Sequence, residues 1–160
     1  MRYLPNNKRR DKNTPLILIR DTREQKPWRS DFETVTKKLA TGDYSFYKFE
    51  DIVAIERKYN LKELYTDLSG NKRSWFLGVL NRLSNYPVRC IIIEDNFENY
   101  IKTLRYIPKT RLTQDTIPYW INEIMFSYNI PILFVGKSFR KSKDILNRFL
   151  LNLFEQARKI

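Results

Sequence analysis

Asp21, Asp43, Glu56 and Lys58 are the residues of this chain from which a reaction can be assembled. They fall in Asp21-Thr22-Arg23-Glu24, Gly42-Asp43-Tyr44 and Glu56-Arg57-Lys58, each beside the end of a segment that reads as a β-strand. Glu56 and Lys58 stand two apart, so in an extended segment both project from one face while Arg57 points to the other. A carboxylate and an ammonium can therefore share one site. Oxygen ligands of this kind suit a hard divalent cation, Mg²⁺ or Mn²⁺. Phosphodiester hydrolysis needs such an ion to offset developing charge, a way to lower the pKa of an attacking water, and positioning of both. In that reading Asp43 and Glu56 hold the metal and Lys58 orients or polarises the water. Asp21 and Glu24 supply further ligands, or hydrogen bonds that fix the first ones. Taken singly, each segment has an ordinary explanation: a surface ion pair for Glu56-Lys58, a turn for Gly42-Asp43, a loop or cap for Asp21 to Glu24. Their conjunction, in order, in one basic chain is what carries weight.

The rest of the composition narrows the chemistry. Histidine is absent, which excludes Ser-His-Asp and Cys-His hydrolysis, His-based acid/base nucleases and most catalytic zinc sites. Lys and Arg number 30 against 18 Asp and Glu, a formal charge of +12 that favours a polyanionic partner, with nucleic acid foremost. With 160 residues, 42% of them hydrophobic, the chain can bury one substantial core. The lone cysteine, Cys90, cannot form an internal disulfide and sits in the apolar run to Ile93, as a core thiol would. No apolar run reaches the roughly 18 residues needed to span a bilayer, and Met1 to Arg10 has no apolar core of a signal peptide. The expectation is a cytoplasmic protein of a prokaryotic or phage-infected cell, without a membrane partner.

Several elements must position those side chains. Residues 1–14 read as a flexible basic arm carrying Lys8, Arg9 and Arg10, and residues 15–160 as the folded domain. Leu16 to Ile19 is a buried strand ending at Asp21, and Asp31 to Ala40 is a short amphipathic helix capped by Ser30 or Asp31 and closed by Thr41-Gly42. Tyr44 to Phe49 and Ile52 to Glu56 form an antiparallel hairpin around Glu50-Asp51. Helices follow over Leu61 to Leu68 and Ser74 to Leu83, the second burying Trp75, Phe76, Val79, Leu80 and Leu83. Val88 to Glu94 is a buried strand, Asn96 to Leu104 a short helix, and Pro118 to Tyr128 a helix with Trp120, Ile121, Ile124, Met125 and Tyr128 on one face. Ile130 to Val135 is the last strand. A long helix over Ser138 to Ala157 has an apolar face wide enough to cover both the sheet and a partner subunit. The alternation predicts an α/β domain with a central mixed β-sheet flanked by helices.

Leu18 to Gln25, Gly42-Asp43-Tyr44 and Ile55-Glu56-Arg57-Lys58 together resemble the XPF-type nuclease domain, a branch of the restriction-endonuclease-like superfamily. The resemblance continues through Leu64-Tyr65 and Arg82-Leu83 to Ile91-Ile92-Ile93-Glu94 and covers residues 15 to 157. It implies a restriction-endonuclease-like fold and a Mg²⁺-dependent endonuclease acting on DNA at flaps, branches or single-strand/double-strand junctions. It also implies a homodimer paired through the C-terminal helix. Asp21, Arg23, Glu24, Asp43, Glu56, Arg57 and Lys58 match its motif, with Asp21, Asp43 and Glu56 as the implied metal ligands. The family places an Asp four residues after the motif lysine. Here that position is Lys62, so Glu63 is the candidate for the last acid.

Tandem helix-hairpin-helix modules follow the nuclease domain in many members of the family, and this chain ends at Ile160. DNA grip then falls to Lys8, Arg9, Arg10, Lys72, Arg73, Lys109, Arg111, Lys137, Arg140 and Lys141. Stand-alone domains of this type occur in phages and mobile elements, with roles in DNA repair or recombination. Two other readings share the fold: an inactive DNA-binding or scaffolding module, and a junction resolvase or RNA-cleaving enzyme of the same superfamily.

Overall fold

The computed structural model describes residues 14–100, 102, 113 and 115–160. Lys8, Arg9, Arg10, Lys109 and Arg111 lie outside the described residues, as does most of the expected 1–14 arm; Thr14 is itself buried.

A mixed six-stranded sheet in the order β2-β1-β3-β4-β5-β6 forms the centre. Its strands are β1 (Leu18–Arg20), β2 (Thr34–Thr36), β3 (Tyr44–Phe46), β4 (Val53–Lys58), β5 (Val88–Ile93) and β6 (Ile132–Phe134). β4 pairs in parallel with β5, and β5 with β6, while β3 runs antiparallel to both β1 and β4. The carboxyl ends of β1, β4, β5 and β6 and the amino end of β3 consequently gather on one edge of the sheet. All three acidic segments lie there. In open α/β sheets the carboxyl edge is where ligands bind, because the loops that leave it are free to vary while the strands hold them rigidly.

Alternation along the central strands feeds two apolar layers. Ala54, Ile91 and Ile93 face α1 (Leu61–Ser69), α2 (Arg73–Leu83) and α3 (Thr116–Ser127), joining Leu64, Phe76, Leu80 and Ile121. Val53, Ile55, Cys90 and Ile92 face the opposite way, onto Leu146, Leu150 and Phe154 of α4 (Phe139–Arg158). Each such aliphatic side chain contributes about 1.5–3 kcal/mol through burial. Burial also pushes the Cys90 thiol up to about 12, which leaves it an inert core group.

Two local expectations give way. Asp31 to Ala40 is not a helix: Thr34–Thr36 instead adds β2 in parallel to the edge of β1. Thr34, Val35 and Thr36 are β-branched and favour extended backbone, and β1 offers unpaired edge groups that no isolated helix would satisfy. Phe32, Val35 and Leu39 do not form one buried stripe either, since Val35 is exposed and Leu39 buried. The first hairpin strand is shorter than its apolar pattern, β3 ending at Phe46, while β4 starts one residue later than expected and runs on to Lys58. Lys48 at φ 69 turns the chain soon after Phe46, and the Val53 amide donates back to the Phe49 carbonyl. The expected Asn96 to Leu104 helix opens with a 3₁₀ turn over Phe97–Asn99, and Tyr100 and Lys102 are helical, with Ile101, Thr103 and Leu104 outside the described residues.

Candidate active site

Gly42 places Asp43. Its φ is +80°, and a Cβ there would stand 2.8 Å from the Ile55 carbonyl oxygen, so both the conformation and the close approach to β4 exclude a side chain. The Asp43 amide then donates to the Ile55 carbonyl at 2.8 Å, its carbonyl accepts from the Asp21 amide at 2.8 Å, and its Oδ2 accepts from the Arg57 amide at 2.8 Å. Asp43 is thereby pinned between β1 and β4. Burial, reinforced by the neighbouring Glu56 charge, pushes its carboxyl up to about 7.

Glu56 and Lys58 project from the same face of β4, toward α1. Lys58 Nζ meets Glu56 Oε1 at 2.9 Å and Asp67 Oδ2 on α1 at 2.8 Å, and rests 4.5 Å from the centre of the Phe76 ring. Burial holds the Glu56 carboxyl above the usual range. Burial works against the Lys58 ammonium, yet the two adjacent carboxylates outweigh it and hold its pKa above the ordinary lysine value. Lys58 is therefore a fixed cation and hydrogen-bond donor here, not a base.

Arg57 points to the other face, where its Nε donates to Glu94 and Nη1 lies 3.5 Å from Glu24 Oε1. Asp21 is fully engaged by its own loop and by the Leu39 amide. Its Oδ1 accepts from the Arg23 amide at 2.9 Å and Arg23 Nε at 2.6 Å, and its Oδ2 accepts from the Leu39 amide at 2.6 Å. Arg23 and these amides offset the burial and hold the Asp21 carboxyl below the usual range.

A cleft of about 510 Å³ brings together Arg23, Glu24, Asp43, Glu56, Arg57 and Lys58; Asp21 lies beneath it rather than on its wall. Glu63 also reaches the cleft, but its carboxylate caps α1: Oε2 accepts from the Tyr59 amide at 2.7 Å while Asn60 Oδ1 accepts from the Glu63 amide at 2.8 Å. The acid that meets Lys58 is Asp67, a residue the sequence reading passed over. Its signal was present: Asp67 lies on the Leu61, Leu64, Leu68 side of α1, where an acid amid apolar residues needs a buried cation opposite. Trp75, expected in the core, is 58% exposed and stands on the cleft wall with Lys62 and Lys72. Met125 on α3 is likewise exposed.

The basic candidates divide. Lys72 lines the cleft, Arg73 Nη1 donates to the Leu68 carbonyl at 3.0 Å, and Lys137 pairs with Asp95 at 3.2 Å. Arg140 and Lys141 lie exposed on the first turn of α4, apart from that cleft.

Asp43 and Glu56 suit a divalent cation. Each has one carboxylate oxygen that accepts no hydrogen bond among the described residues, and each is held in a state that a nearby positive charge would relieve. No third acid, cysteine or histidine joins them closely enough among the described residues to complete a protein-only site. Mg²⁺ accepts such a site, since it commonly takes one or two carboxylates and fills the remaining positions with water and substrate phosphate.

The architecture has solved relatives. XPF from Aeropyrum pernix matches with a TM-score of 0.57 and 19% identity over 89% of this chain and 69% of that one. XPF from Aeropyrum pernix in complex with DNA matches with a TM-score of 0.61 and 18% identity over 91% of this chain and 66% of that one. The fold is that of the XPF nuclease domain, restriction-endonuclease-like. Among curated proteins none matches in sequence. The model of the ERCC4 domain matches residues 20–149, which includes every residue of the cleft, and the chain belongs to the ERCC4 domain family.

Proposed function

We propose that this protein is a DNA endonuclease that uses Mg²⁺ or Mn²⁺ and selects flaps, branches or single-strand/double-strand junctions, in repair or recombination. The observation that carries the reading is the approach of Asp43, Glu56 and Lys58 to one cleft with cationic and aromatic walls. Asp43 and Glu56 would hold the ion. Bound there, it would lower the pKa of a water and offset charge on the phosphate. Lys58, kept cationic by Glu56 and Asp67, donates to the attacking water or a phosphate oxygen and fixes its direction. Lys62 and Lys72 attract the backbone, and the exposed Trp75 offers a face to an unpaired base. Asp21 acts through Arg23 and Asp43 by holding the β1 loop in place. The complex of XPF with DNA supports DNA as the polymer.

Labelled duplex, single-stranded, flap and four-way DNA would be incubated with the protein and its Asp43→Ala and Glu56→Ala variants in Mg²⁺, Mn²⁺ or EDTA. Cleavage confined to metal-containing reactions of the wild type is the expected result. Tight binding with no cleavage of any substrate would favour a scaffolding module instead.

The same proposal includes a homodimer. The inner line of α4 is used by its own sheet, but Ile145 and Leu151 stay exposed and Phe149 and Leu153 half-buried, leaving apolar area for a second copy. A dimeric mass by sedimentation at tens of micromolar is expected, and a monomeric mass would overturn the dimer.

A further inference from the structure

A second cavity, of about 660 Å³, opens on the same sheet edge between the Lys26–Arg29 segment and the amino end of α4. It shares Lys26, Arg57, Tyr59 and Asn60 with the catalytic cleft, so the two are continuous across Tyr59. Its size lies within the range of pockets that take small organic ligands. We propose that it holds one nucleotide of a single DNA strand, with its phosphate at the amino end of α4, as that strand leaves the catalytic cleft. The inference rests on the nuclease reading for the identity of the strand.

The wall selects an anion. Lys26, Lys137 and Lys143 border the cavity, Lys137 paired with Asp95 and Lys143 with the exposed Asp31 outside the wall, and its one carboxylate, Glu94, is bound by Arg57. Two buried donors on the wall, Trp28 Nε1 and Ser142 Oγ, have no hydrogen-bond partner among the described residues. Buried polar groups are nearly always paired, so these two point to an acceptor that arrives with a ligand. The start of α4 breaks a local rule in the same sense. Ser138 makes no side-chain cap and the first turn has no acidic residue, while Arg140 and Lys141 place positive charge at the positive end of the helix dipole. An anion bound there satisfies the open amides and relieves that repulsion. Tyr59 supplies the bridge: half exposed, with Lys26 4.7 Å from its ring centre, it presents an aromatic face and a cation to a base crossing between the two cavities.

The test is anisotropy binding in EDTA of fluorescein-labelled dT8 and of a labelled duplex, to the full chain and to Ser142→Asp and Lys143→Ala. A carboxylate at Ser142 suits the amino end of a helix but repels phosphate, so melting temperature serves as the folding control. Weakening of dT8 binding by about tenfold in Ser142→Asp, with a smaller loss for Lys143→Ala and for duplex, supports the cavity. Unchanged dT8 affinity in both variants at unchanged melting temperature overturns it. Inorganic phosphate is the second probe: if millimolar phosphate stabilises the wild type but dT8 does not compete for the site, the cavity takes a free anion and the strand proposal falls. No metal enters these measurements, so failure of the separate metal-dependent cleavage assay would defeat the nuclease reading while leaving the binding result to be judged alone.

Discussion

Replacing Asp43 by asparagine is expected to lower metal-dependent cleavage by about a thousandfold or more while making the metal-free protein more stable at pH 8. The two effects share a cause. Asp43 is buried beside Glu56, and its carboxyl sits at about 7 against an ordinary value of 3.8. A carboxyl whose pKa is raised on folding binds its proton more tightly in the native state. Stability therefore falls as pH rises from about 4 to about 7 and stays reduced above. Asparagine keeps the acceptor for the Arg57 amide and removes the charge. In EDTA at pH 8 the gain is at most about 4 kcal/mol, or several degrees in Tm, and it shrinks toward zero near pH 4. Mg²⁺ should reverse the order by stabilising the wild type and not the variant. Thermal melts across pH, with and without Mg²⁺, decide the matter. Equal Tm at pH 8 in EDTA would show that Asp43 is not under electrostatic load, and retained cleavage would remove it from the ligand set.

Such a burdened carboxylate was legible in the sequence only because its neighbours are backbone-determined. Gly42 beside Asp43 marks a turn, and the two-residue spacing of Glu56 and Lys58 fixes their common face whatever packs upon it. The apolar runs of β4 and β5 likewise announce strands buried on both faces. Relations set by packing between elements were not readable in this way. Asp67 meets Lys58 across nine residues and a strand-to-helix crossing, and nothing local fixes the rotation of α1 over β4. Glu63 was the more visible candidate by spacing, yet the open backbone amide of Tyr59 claims its carboxylate. Trp75 has helical spacing with Phe76 and Val79, but the α2 face that meets the core is set by Phe76, Val79, Leu80 and Leu83, which turns the indole outward. Asp31 to Ala40 failed for a related reason, since edge pairing with β1 is a tertiary gain that overrode a weak helical pattern.

The Lys58–Glu56–Asp67 triad separates what holds the site from what does its chemistry. Lys58→Met keeps most of the side-chain volume but leaves Glu56 and Asp67 buried without their shared cation. Removing one member of such a group typically destabilises by about 3–5 kcal/mol, because the charges left behind have lost both water and partner. The pH sign follows from those charges. Without the ammonium, burial raises the affinity of the Glu56 carboxylate for protons still further, so the deficit is full at pH 8 and diminishes as the pH falls toward ordinary carboxylate values. Asp67→Asn in the Lys58→Met background removes one of the stranded charges and should restore part of the stability, whereas the same change in the wild type should weaken it. Opposite signs in the two backgrounds are the mark of a direct interaction in a double-mutant cycle. Cleavage should not recover with stability: it stays down about a hundred- to a thousandfold, because the donor that directs the attacking water is still missing. Urea melts at pH 5 and pH 8, with single-turnover rates on the same four proteins, measure both. If Asp67→Asn lowers stability equally in either background, Asp67 does not position Lys58; if the double variant regains cleavage along with stability, Lys58 is a structural strut and the water is oriented by another group.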